Sequence, residues 1–492
     1  MKHNTKDTSA LVIGAGVAGL SSAIRLANKG IQVKVFEQQD TYGGKMGVWE
    51  QNGYRFDTGP SLFTMPHYVQ DLLTIDGKND VPFDFEELEV ICHYFWDDGT
   101  TFRATKDLEQ LKDSFEKDIR EPKENIASFL KDSQTKYEIT NHVFLEKSLH
   151  KLKTYFSWGT IKSIFRLHRI QVFKTMAAQN ERQFKQEKTV QFFNRYATYN
   201  GSNPYEAPAT LNVIPHYEYG FGAFFPKNGI RSIADALYKK ALSLGVEFHF
   251  NSPIDKVEKR GEKYLLNGLT ESHIVVCNMD VASAARGPLK HLLGGKRKDY
   301  EPSSSALIFY WGINQEFESL GLHNIFFSDD YKKEFHSIFS QKQIDDDPTV
   351  YVHISSKQKP DDAPKGSENW FVMVNAPYVE NQDWDTMVAL AREHIVKKLS
   401  RSLGIDIAQH IVLEHKLTPQ LIQKQTGSYK GALYGSSSNN RTAAFLRQPN
   451  FSSVHKGLYF CGGSVHPGGG IPLCLLSGKI TSDIIANDFK LF

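Results

Sequence analysis

The segment from Gly14 to Gly19 has the residue types and the spacing that suit binding of a pyrophosphate. Its residues, in order, are Gly14, Ala15, Gly16, Val17, Ala18 and Gly19, the GxGxxG pattern. We expect Gly14 to allow a tight turn, Gly16 to let the backbone approach a phosphate, and Gly19 to let a helix pack closely on a strand. A helix that begins here would direct its free N–H groups and the positive end of its dipole at the phosphates. The motif therefore predicts a dinucleotide site that includes Val17 and Ala18.

An acidic side chain follows this motif where a ribose contact is expected. Glu37 ends the next apolar stretch, at about the 20-residue spacing typical of dinucleotide-binding folds. A carboxylate at this point accepts hydrogen bonds from ribose hydroxyls and would repel a 2′-phosphate. Glu37 therefore argues against NADP as the ligand.

The elements that must position these residues are evident from the hydrophobic pattern. Ala10–Ile13 is a short apolar run that ends in glycine, which predicts a buried parallel strand. Val17–Asn28 carries apolar residues at helical spacing, and Gly30 is a natural helix terminator. Ile31–Phe36 alternates apolar and polar residues and predicts the next strand. Together these elements form a βαβ unit.

Later parts of the chain return to the same pattern. The predicted elements are helices Ile230–Leu244 and Leu473–Phe489 and strands Val246–Phe250, Ile254–Lys259, Ile274–Asn278 and Gly457–Phe460. We therefore expect one discontinuous dinucleotide-binding domain built from residues 1–75, 225–300 and 455–492. The two insertions, residues 76–224 and 301–454, would form a substrate-binding domain, and the second insertion has predicted strands at Ala306–Ile313 and Val350–Ser355.

A second glycine-rich segment, Gly462–Pro472, lies between the last predicted strand and the last predicted helix. Like the first motif, it would bring backbone amides and a helix N-terminus to a ligand. Its sequence is Gly-Gly-Ser-Val-His-Pro-Gly-Gly-Gly-Ile-Pro, and the histidine is His466. The chain thus carries one phosphate-type turn near each of its ends.

Two further segments favour FAD as the dinucleotide. Thr41–Lys45 and Phe56–Ser61 resemble the extended FAD motif of the amine-oxidase and carotenoid-desaturase superfamily. Together with Phe225–Gly229 and Gly462–Ser477, they make the whole chain similar to the bacterial carotenoid (phytoene) desaturase family. The C-terminal segment is most similar to the 1-hydroxycarotenoid 3,4-desaturase branch of that family.

The resemblance implies an α/β fold with a Rossmann-like FAD-binding domain. The two-domain arrangement would be that of Rab GDP-dissociation inhibitors and amine oxidases, with an inserted α+β substrate domain and a helical membrane-facing region. It also implies that the backbone of Ile254 meets the adenine. Lys45 stands near the diphosphate in place of the commoner arginine, which keeps the charge but loses the planar fork. The other implied FAD contacts are Gly43, Gly44, Thr58, Gly59, Pro60, Ser61, Asn278, Met279, Gly463, Ser464, Gly470, Ile471 and Pro472.

The implied reaction is FAD-dependent desaturation of a carotenoid, at C3–C4 of a 1-hydroxy compound. One hydrogen would leave as hydride to flavin N5 and the other as a proton, with oxygen or a quinone as the final electron acceptor. His466 is a candidate base, and the alternative is that it only braces the turn. Other functions remain open at this point: a phytoene or diapophytoene desaturase, a carotene isomerase, an amine oxidase, or a prenyl-group carrier without FAD.

Composition and charge narrow the choice of partners. A net charge of +2 does not favour nucleic acid, and the four cysteines lack the spacing of metal ligands. The N-terminus has no apolar signal region, and no apolar run approaches the ~18 residues of a membrane span, so we expect a cytoplasmic protein. Leu149–Lys188 interleaves basic and aromatic residues. It predicts peripheral contact with the inner face of the cell membrane, or alternatively helices that pack on the core.

Overall fold

The computed structural model describes residues 9–141, 171, 173–294, 300–439 and 447–491. The strands in chain order are β1 Ser9–Ile13, β2 Gln32–Phe36, β3 Val48–Gln51, β4 Tyr54–Asp57, β5 Phe85–Glu87, β6 Val90–Phe95, β7 Thr101–Thr105, β8 Phe224–Pro226, β9 Glu247–His249, β10 Val257–Arg260, β11 Lys263–Leu266, β12 Thr270–Ser272, β13 Ile274–Cys277, β14 Ser305–Ile313, β15 His323–Phe326, β16 Val350–Ile354, β17 Glu368–Ala376, β18 Ile411–Leu417 and β19 Leu458–Phe460.

The α-helices follow the same chain order. They are α1 Val17–Asn28, α2 His67–Leu73, α3 Leu108–Ser114, α4 Lys123–Thr140, α5 Met176–Gln183, α6 Glu187–Asn194, α7 Pro215–Tyr219, α8 Arg231–Ser243, α9 Val281–Arg286, α10 Lys290–Leu293, α11 Tyr331–His336, α12 Trp384–Leu403, α13 Pro419–Thr426 and α14 Ile471–Phe489. Short 3-10 turns connect several of them, including one at Arg195–Asn200 that follows α6 directly.

A five-stranded parallel sheet forms the first half of the molecule. Its strand order is β19-β13-β1-β2-β9, with Val12 of β1 opposite Val276 on one side and Val35 on the other. All five strands come from the three chain segments to which the sequence assigns the dinucleotide-binding domain. The predicted α/β class and the Rossmann-like domain are confirmed, while the exact domain boundaries stay a prediction.

The two faces of this sheet are covered by different layers. Alternate residues of β1 divide between two apolar cores, with Ala10 and Val12 in one and Leu11 and Ile13 in the other. Helices α1, α8 and α14 cover the first face, and the small sheet β10-β11-β12 contributes to the second. Burial on both sides explains why β1 and β13, in the middle of the sheet, are nearly continuous apolar runs, whereas β2, nearer the edge, alternates.

The start of one predicted strand, at Ile254, is wrong. The strand expected at Ile254–Lys259 starts only at Val257. The backbone N–H groups of Asp255 and Lys256 donate to the side-chain oxygen of Asn267, at 2.9 and 3.1 Å. The Asn267 side chain therefore takes up the N–H groups that would otherwise pair with a neighbouring strand. As a result, Ile254 remains outside any strand.

A seven-stranded mixed sheet forms the other half of the molecule, in the order β18-β14-β17-β16-β15-β6-β7. The pair β15 and β6 is parallel, and the other neighbours are antiparallel. Strands β6 and β7 come from the first insertion and the remaining strands from the second. The two insertions therefore meet in one sheet, whose outer face packs against α12.

Within the described ranges, no helix has both the length and the apolar character needed to cross a membrane. Most of the basic and aromatic segment Leu149–Lys188 lies outside the described residues, which omit 142–170 and 172. The predicted membrane-facing role of that segment stays a prediction.

Candidate functional site

A cavity of about 1190 Å³ is lined by the carboxyl ends of the parallel strands and by the inner face of the seven-stranded sheet. It exceeds the ~300–1,000 Å³ typical of pockets for drug-sized ligands. Ligands of open parallel sheets bind at this carboxyl edge. Every sequence-predicted site residue lines the cavity except Gly19. A Cβ on Gly19 would lie 2.2 Å from the carbonyl oxygen of Gly14, so this glycine serves close packing of α1.

The first glycine motif forms a tight loop at the end of β1. Gly14 has a φ of +100°, which other residues rarely adopt, and its N–H donates to the carbonyl of Phe36 at 2.8 Å. A Cβ on Gly16 would lie 2.9 Å from Nδ2 of Asn278. Gly44 passes close to Gly16: a Cβ added to Gly44 would lie 3.1 Å from Cα of Gly16. Two backbone segments thus form an open cradle that larger residues would fill.

Glu37 is fixed at the edge of this cradle. Its carboxylate accepts a hydrogen bond from the Ala15 N–H at 2.7 Å and another from the Gln39 N–H at 3.0 Å. The residue is only 8% exposed, and the part that remains open faces the cavity. Each carboxylate oxygen keeps acceptor capacity, so the group can also bind the hydroxyls of a ribose.

Lys45 places a positive charge in the cavity wall. Its Nζ donates to the carbonyl oxygens of Leu433 at 2.7 Å and Ala432 at 3.4 Å. The side chain is exposed to the cavity, but the cavity lies deep in the protein, so the ammonium group is surrounded by many protein atoms. This burial lowers the pKa of the ammonium group, and the carboxylate of Asp280 opposes the effect. Asp280 itself caps α9 by accepting from two backbone N–H groups of its first turn.

The second glycine-rich segment leads directly into α14. Gly470, with a φ of +97°, precedes the helix, and no side chain caps its N-terminus. Because Gly470, Ile471 and Pro472 line the cavity, the positive end of a 19-residue helix faces it. This arrangement favours negative charge on a ligand at this end of the cavity.

Arg447 holds the C-terminal loop in place and was not identified from the sequence. Its Nη1 donates to the carbonyls of Tyr434 at 2.7 Å and Gly463 at 3.1 Å. Its Nη2 donates to Oδ1 of Asn200 at 2.7 Å. Burial lowers the pKa of Arg447 to about 10, so the guanidinium remains charged near neutral pH.

His466 is buried and lines the cavity. Its carbonyl accepts hydrogen bonds from Nδ2 of Asn450 and Oγ of Ser477, both at 2.9 Å, and its N–H donates to the carbonyl of Gln448 at 3.0 Å. These contacts fix the backbone of the loop but do not involve the imidazole, so the bracing role also stays untested. Its role as a base stays a prediction.

A chain of polar side chains crosses the cavity wall on the inner face of the seven-stranded sheet. Oγ of Ser61 and Oη of Tyr351 form a hydrogen bond of 2.8 Å, and the same tyrosine oxygen lies 2.7 Å from Nδ1 of His323. Burial, assisted by the neighbouring His353, lowers the pKa of His323 well below its ordinary value. The imidazole of His323 is therefore neutral near pH 7. No sequence motif marks His323 or Tyr351.

A buried ion pair lies near His323 in the same cavity wall. Arg195, at the start of the 3-10 turn, and Glu218, in α7, form an ion pair of 3.4 Å, and both side chains line the cavity with Tyr199. No sequence motif marks this pair, because lysines, arginines and aromatic residues are spread throughout the first insertion.

Comparison with known proteins gives consistent results. The family model of flavin containing amine oxidoreductases matches residues 17–486. The 1-hydroxycarotenoid 3,4-desaturase of Flavobacterium sp. (strain P99-3) is 47% identical over 485 residues, covering 97% of this chain and 99% of the relative. The 4,4'-diapolycopene oxygenase of Methylomonas sp is 33% identical over 499 residues, covering 98% of each chain.

Solved structures with similar folds are more distant in sequence. The cyclohexylamine oxidase of Brevibacterium oxydans IH-35A has a TM-score of 0.65 at 16% identity, covering 98% of this chain and 100% of that one. Putrescine oxidase bound to putrescine has a TM-score of 0.63 at 15% identity, with coverage of 97% and 99%. At these identities the similarity establishes the fold alone.

Proposed function

Because the chain belongs to the family of flavin containing amine oxidoreductases, we propose that it desaturates the C3–C4 bond of a 1-hydroxycarotenoid. It is an FAD-dependent oxidoreductase. The observation that carries the proposal is one cavity of about 1190 Å³, which is lined both by the two glycine-rich segments and by apolar side chains of the seven-stranded sheet. The full-length similarity to a 1-hydroxycarotenoid 3,4-desaturase supports the substrate class.

The cradle fits the dinucleotide. Glycines keep the space near Gly16 and Gly44 open, and Glu37 offers acceptors for a ribose. Residues that would hold FAD are Gly14, Gly16, Val17, Ala18, Glu37, Gly43, Gly44, Lys45, Thr58, Gly59, Pro60, Ser61, Ile254, Asn278, Met279, Gly463, Ser464, Gly470, Ile471 and Pro472, and Gly19 would support them through packing. The N-terminus of α14 would stabilise negative charge at the flavin end.

Bound FAD supplies a hydride acceptor, so the chain itself has to bind, orient and desolvate the substrate. The wall of the cavity contains apolar side chains such as Ile91, Leu211, Ile214, Ile325 and Met373. Burial of a hydrocarbon chain against them contributes roughly 25 cal/mol per Å². Water exclusion also strengthens the electrostatic effect of the helix end on the reaction.

The second hydrogen leaves as a proton and needs an acceptor. We keep His466 as the candidate base, since it is buried in the loop that lines the cavity. The test is H466N, which removes the basic imidazole but keeps a polar side chain. A base role predicts that substrate reduces the bound flavin much more slowly in H466N, with a changed pH profile. A bracing role predicts poor flavin retention and normal reduction in the molecules that retain it.

We further propose that the protein works at the cytoplasmic face of the cell membrane and passes electrons to oxygen or a quinone. An apolar substrate has to enter from a bilayer, and Leu149–Lys188 combines basic with aromatic residues. Co-sedimentation with anionic liposomes tests this. Replacement of Trp158 and Phe165 by aspartate should leave the protein in the supernatant, and unchanged pelleting would contradict the proposal.

Anaerobic mixing of the purified holoprotein with defined carotenoids tests the main proposal. A 1-hydroxycarotenoid should bleach the flavin absorbance and gain one conjugated double bond, while phytoene should do neither. Bleaching by phytoene or diapophytoene would favour a desaturase of those compounds. Isomerisation that requires prereduced flavin would favour an isomerase, and a colourless protein unable to bind FAD would refute all three.

A further inference from the structure

We propose that Arg195, Tyr199 and Glu218 form a site that recognises the hydroxyl group of the substrate. The inference rests on the proposed function and adds the residues that determine specificity. We call these three residues the hydroxyl site.

The hydroxyl site is a buried network of complementary groups. Glu218 is 1% exposed and Arg195 4%. Nη1 of Arg195 donates to Oη of Tyr199 at 2.9 Å, and that hydroxyl donates to Oε1 of Glu218. The other carboxylate oxygen of Glu218 accepts from Nη2 of Arg195 at 3.4 Å and from Tyr196 at 2.6 Å.

This charged pair needs an explanation beyond stability. Removing two charges from water is costly, and a buried ion pair often stabilises a fold no better than apolar residues of equal size. A polyene offers no hydrogen bond to such a group. Ile91, Cys92 and Ile325 line the same cavity. If the substrate were a pure hydrocarbon, an ion pair in the wall that contacts it would only weaken the binding of the substrate.

The network also has capacity that the described residues do not use. Nη1 of Arg195 carries two N–H groups and forms one hydrogen bond among the described residues, to Tyr199. Oε1 of Glu218, which in the part of the chain that the structure describes accepts only from Tyr199, and the hydroxyl of Tyr199 keep acceptor capacity. A hydroxyl group accepts one hydrogen bond and donates another. The hydroxyl site supplies both partners, a donor from Nη1 of Arg195 and an acceptor from Tyr199 or Oε1 of Glu218.

The hydroxyl site is connected to the flavin end of the cavity, where a C1 hydroxyl has to lie. Only C2 separates C1 from the C3–C4 bond, so the hydroxyl cannot be far from the reacting atoms. The 3-10 turn that begins at Arg195 ends at Asn200. Oδ1 of Asn200 accepts from Arg447, which in turn donates to the carbonyl of Gly463 in the C-terminal loop.

The experiment compares two tyrosines that donate to the same carboxylate. Tyr199 lines the cavity, whereas Tyr196 is fully buried and is not among the described cavity-lining residues. Y199F and Y196F each remove one hydrogen bond to Glu218. The measurement is kcat/KM for a 1-hydroxycarotenoid and for the same compound without the hydroxyl, with flavin content and melting temperature as checks on folding.

The hydroxyl site predicts that Y199F lowers kcat/KM for the hydroxylated compound about ten- to hundredfold, the effect of one lost hydrogen bond to a buried polar group. The value for the deoxy compound should stay within twofold. Y196F should leave the ratio of the two values unchanged. E218Q offers a second variant that should reduce the ratio in the same direction if Y199F does not fold.

Three results would overturn the inference. The first is an equal change of the ratio in Y199F and Y196F, which would indicate a purely structural network. The second is a wild-type protein that converts both compounds equally well, which leaves the desaturase proposal intact but removes the specificity. The third is a wild type that converts no carotenoid, which would overturn the proposed function as well.

Discussion

Glu37 gives the sharpest test of the nucleotide cradle. In E37Q the side chain keeps its size, but only one oxygen remains to accept from the backbone. The carboxylate now accepts from the N–H groups of Ala15 and Gln39 at 2.7 and 3.0 Å. One of these donors would face an amide NH₂ group instead. The loss of a hydrogen bond to a charged group is worth about 1.5–3 kcal/mol.

We expect this loss to appear in FAD affinity, because the same carboxylate shapes the loop and offers acceptors to the ribose. Each 1.4 kcal/mol is tenfold in Kd, so E37Q should bind FAD about ten- to hundredfold more weakly. The assay removes the flavin and titrates FAD back into the apoprotein while flavin fluorescence is followed.

A matched control lies in the same sheet. Glu247 in β9 is exposed and forms a surface ion pair with Lys34 at 3.0 Å. E247Q makes the same chemical change at a residue that does not line the cavity, and exposed pairs contribute roughly 0–1 kcal/mol. Its FAD affinity should equal that of the wild type. An E37Q affinity within threefold of the wild type would refute the role given to Glu37.

Further predictions concern packing, pH and the C-terminal loop. G19A should destabilise the protein by about 1–3 kcal/mol in denaturant titrations, because its Cβ would collide with the Gly14 carbonyl, although alanine is the better helix former. A stabilised G19A would contradict the packing described for α1. Burial raises the pKa of Glu334 to about 6, above the ~4.3 of an unfolded chain, so the unfolded state loses its proton first. Relative to E334Q, the wild type should therefore lose about 2 kcal/mol of stability as pH rises from ~4.3 to ~6, and parallel pH–stability curves would disprove this. R447K keeps the charge but not the planar fork, so FAD affinity should fall about tenfold or more in the same titration. Unchanged affinity would show that the loop does not depend on Arg447.

The sequence predicted the βαβ unit well because its signals are local. The apolar run of β1, the helical spacing of Val17–Asn28 and the glycines between them lie within a few residues of each other. The same holds for the segment that leads into α14. Gly14 and Gly470 have a positive φ, which favours glycine whatever the rest of the chain does, whereas Gly16 and Gly19 are required by close contacts.

The polar groups in the cavity wall could not be predicted in the same way. Arg195 and Glu218 belong to a 3-10 turn and a separate helix, and His323 and Tyr351 meet only because β15 and β16 pair. Their meeting depends on tertiary structure. A side chain such as Asn267 can likewise accept a backbone hydrogen bond in place of a neighbouring strand. This explains why the strand predicted from Ile254 starts later in the structure.

The close contact between α1 and α14 has a consequence for biosynthesis. Oγ of Ser21 donates to the carbonyl of Leu475 at 2.9 Å, and β19 supplies the outer partner of β13. A nascent chain therefore lacks the C-terminal part of the cavity lining, which includes Gly463 and Gly470, until α14 has left the ribosome. Until β19 has been made, the side of β13 that faces away from β1 is an open edge of a wholly apolar strand, which invites aggregation. Premature termination anywhere before β19 should yield inclusion bodies rather than a flavin-free but folded protein.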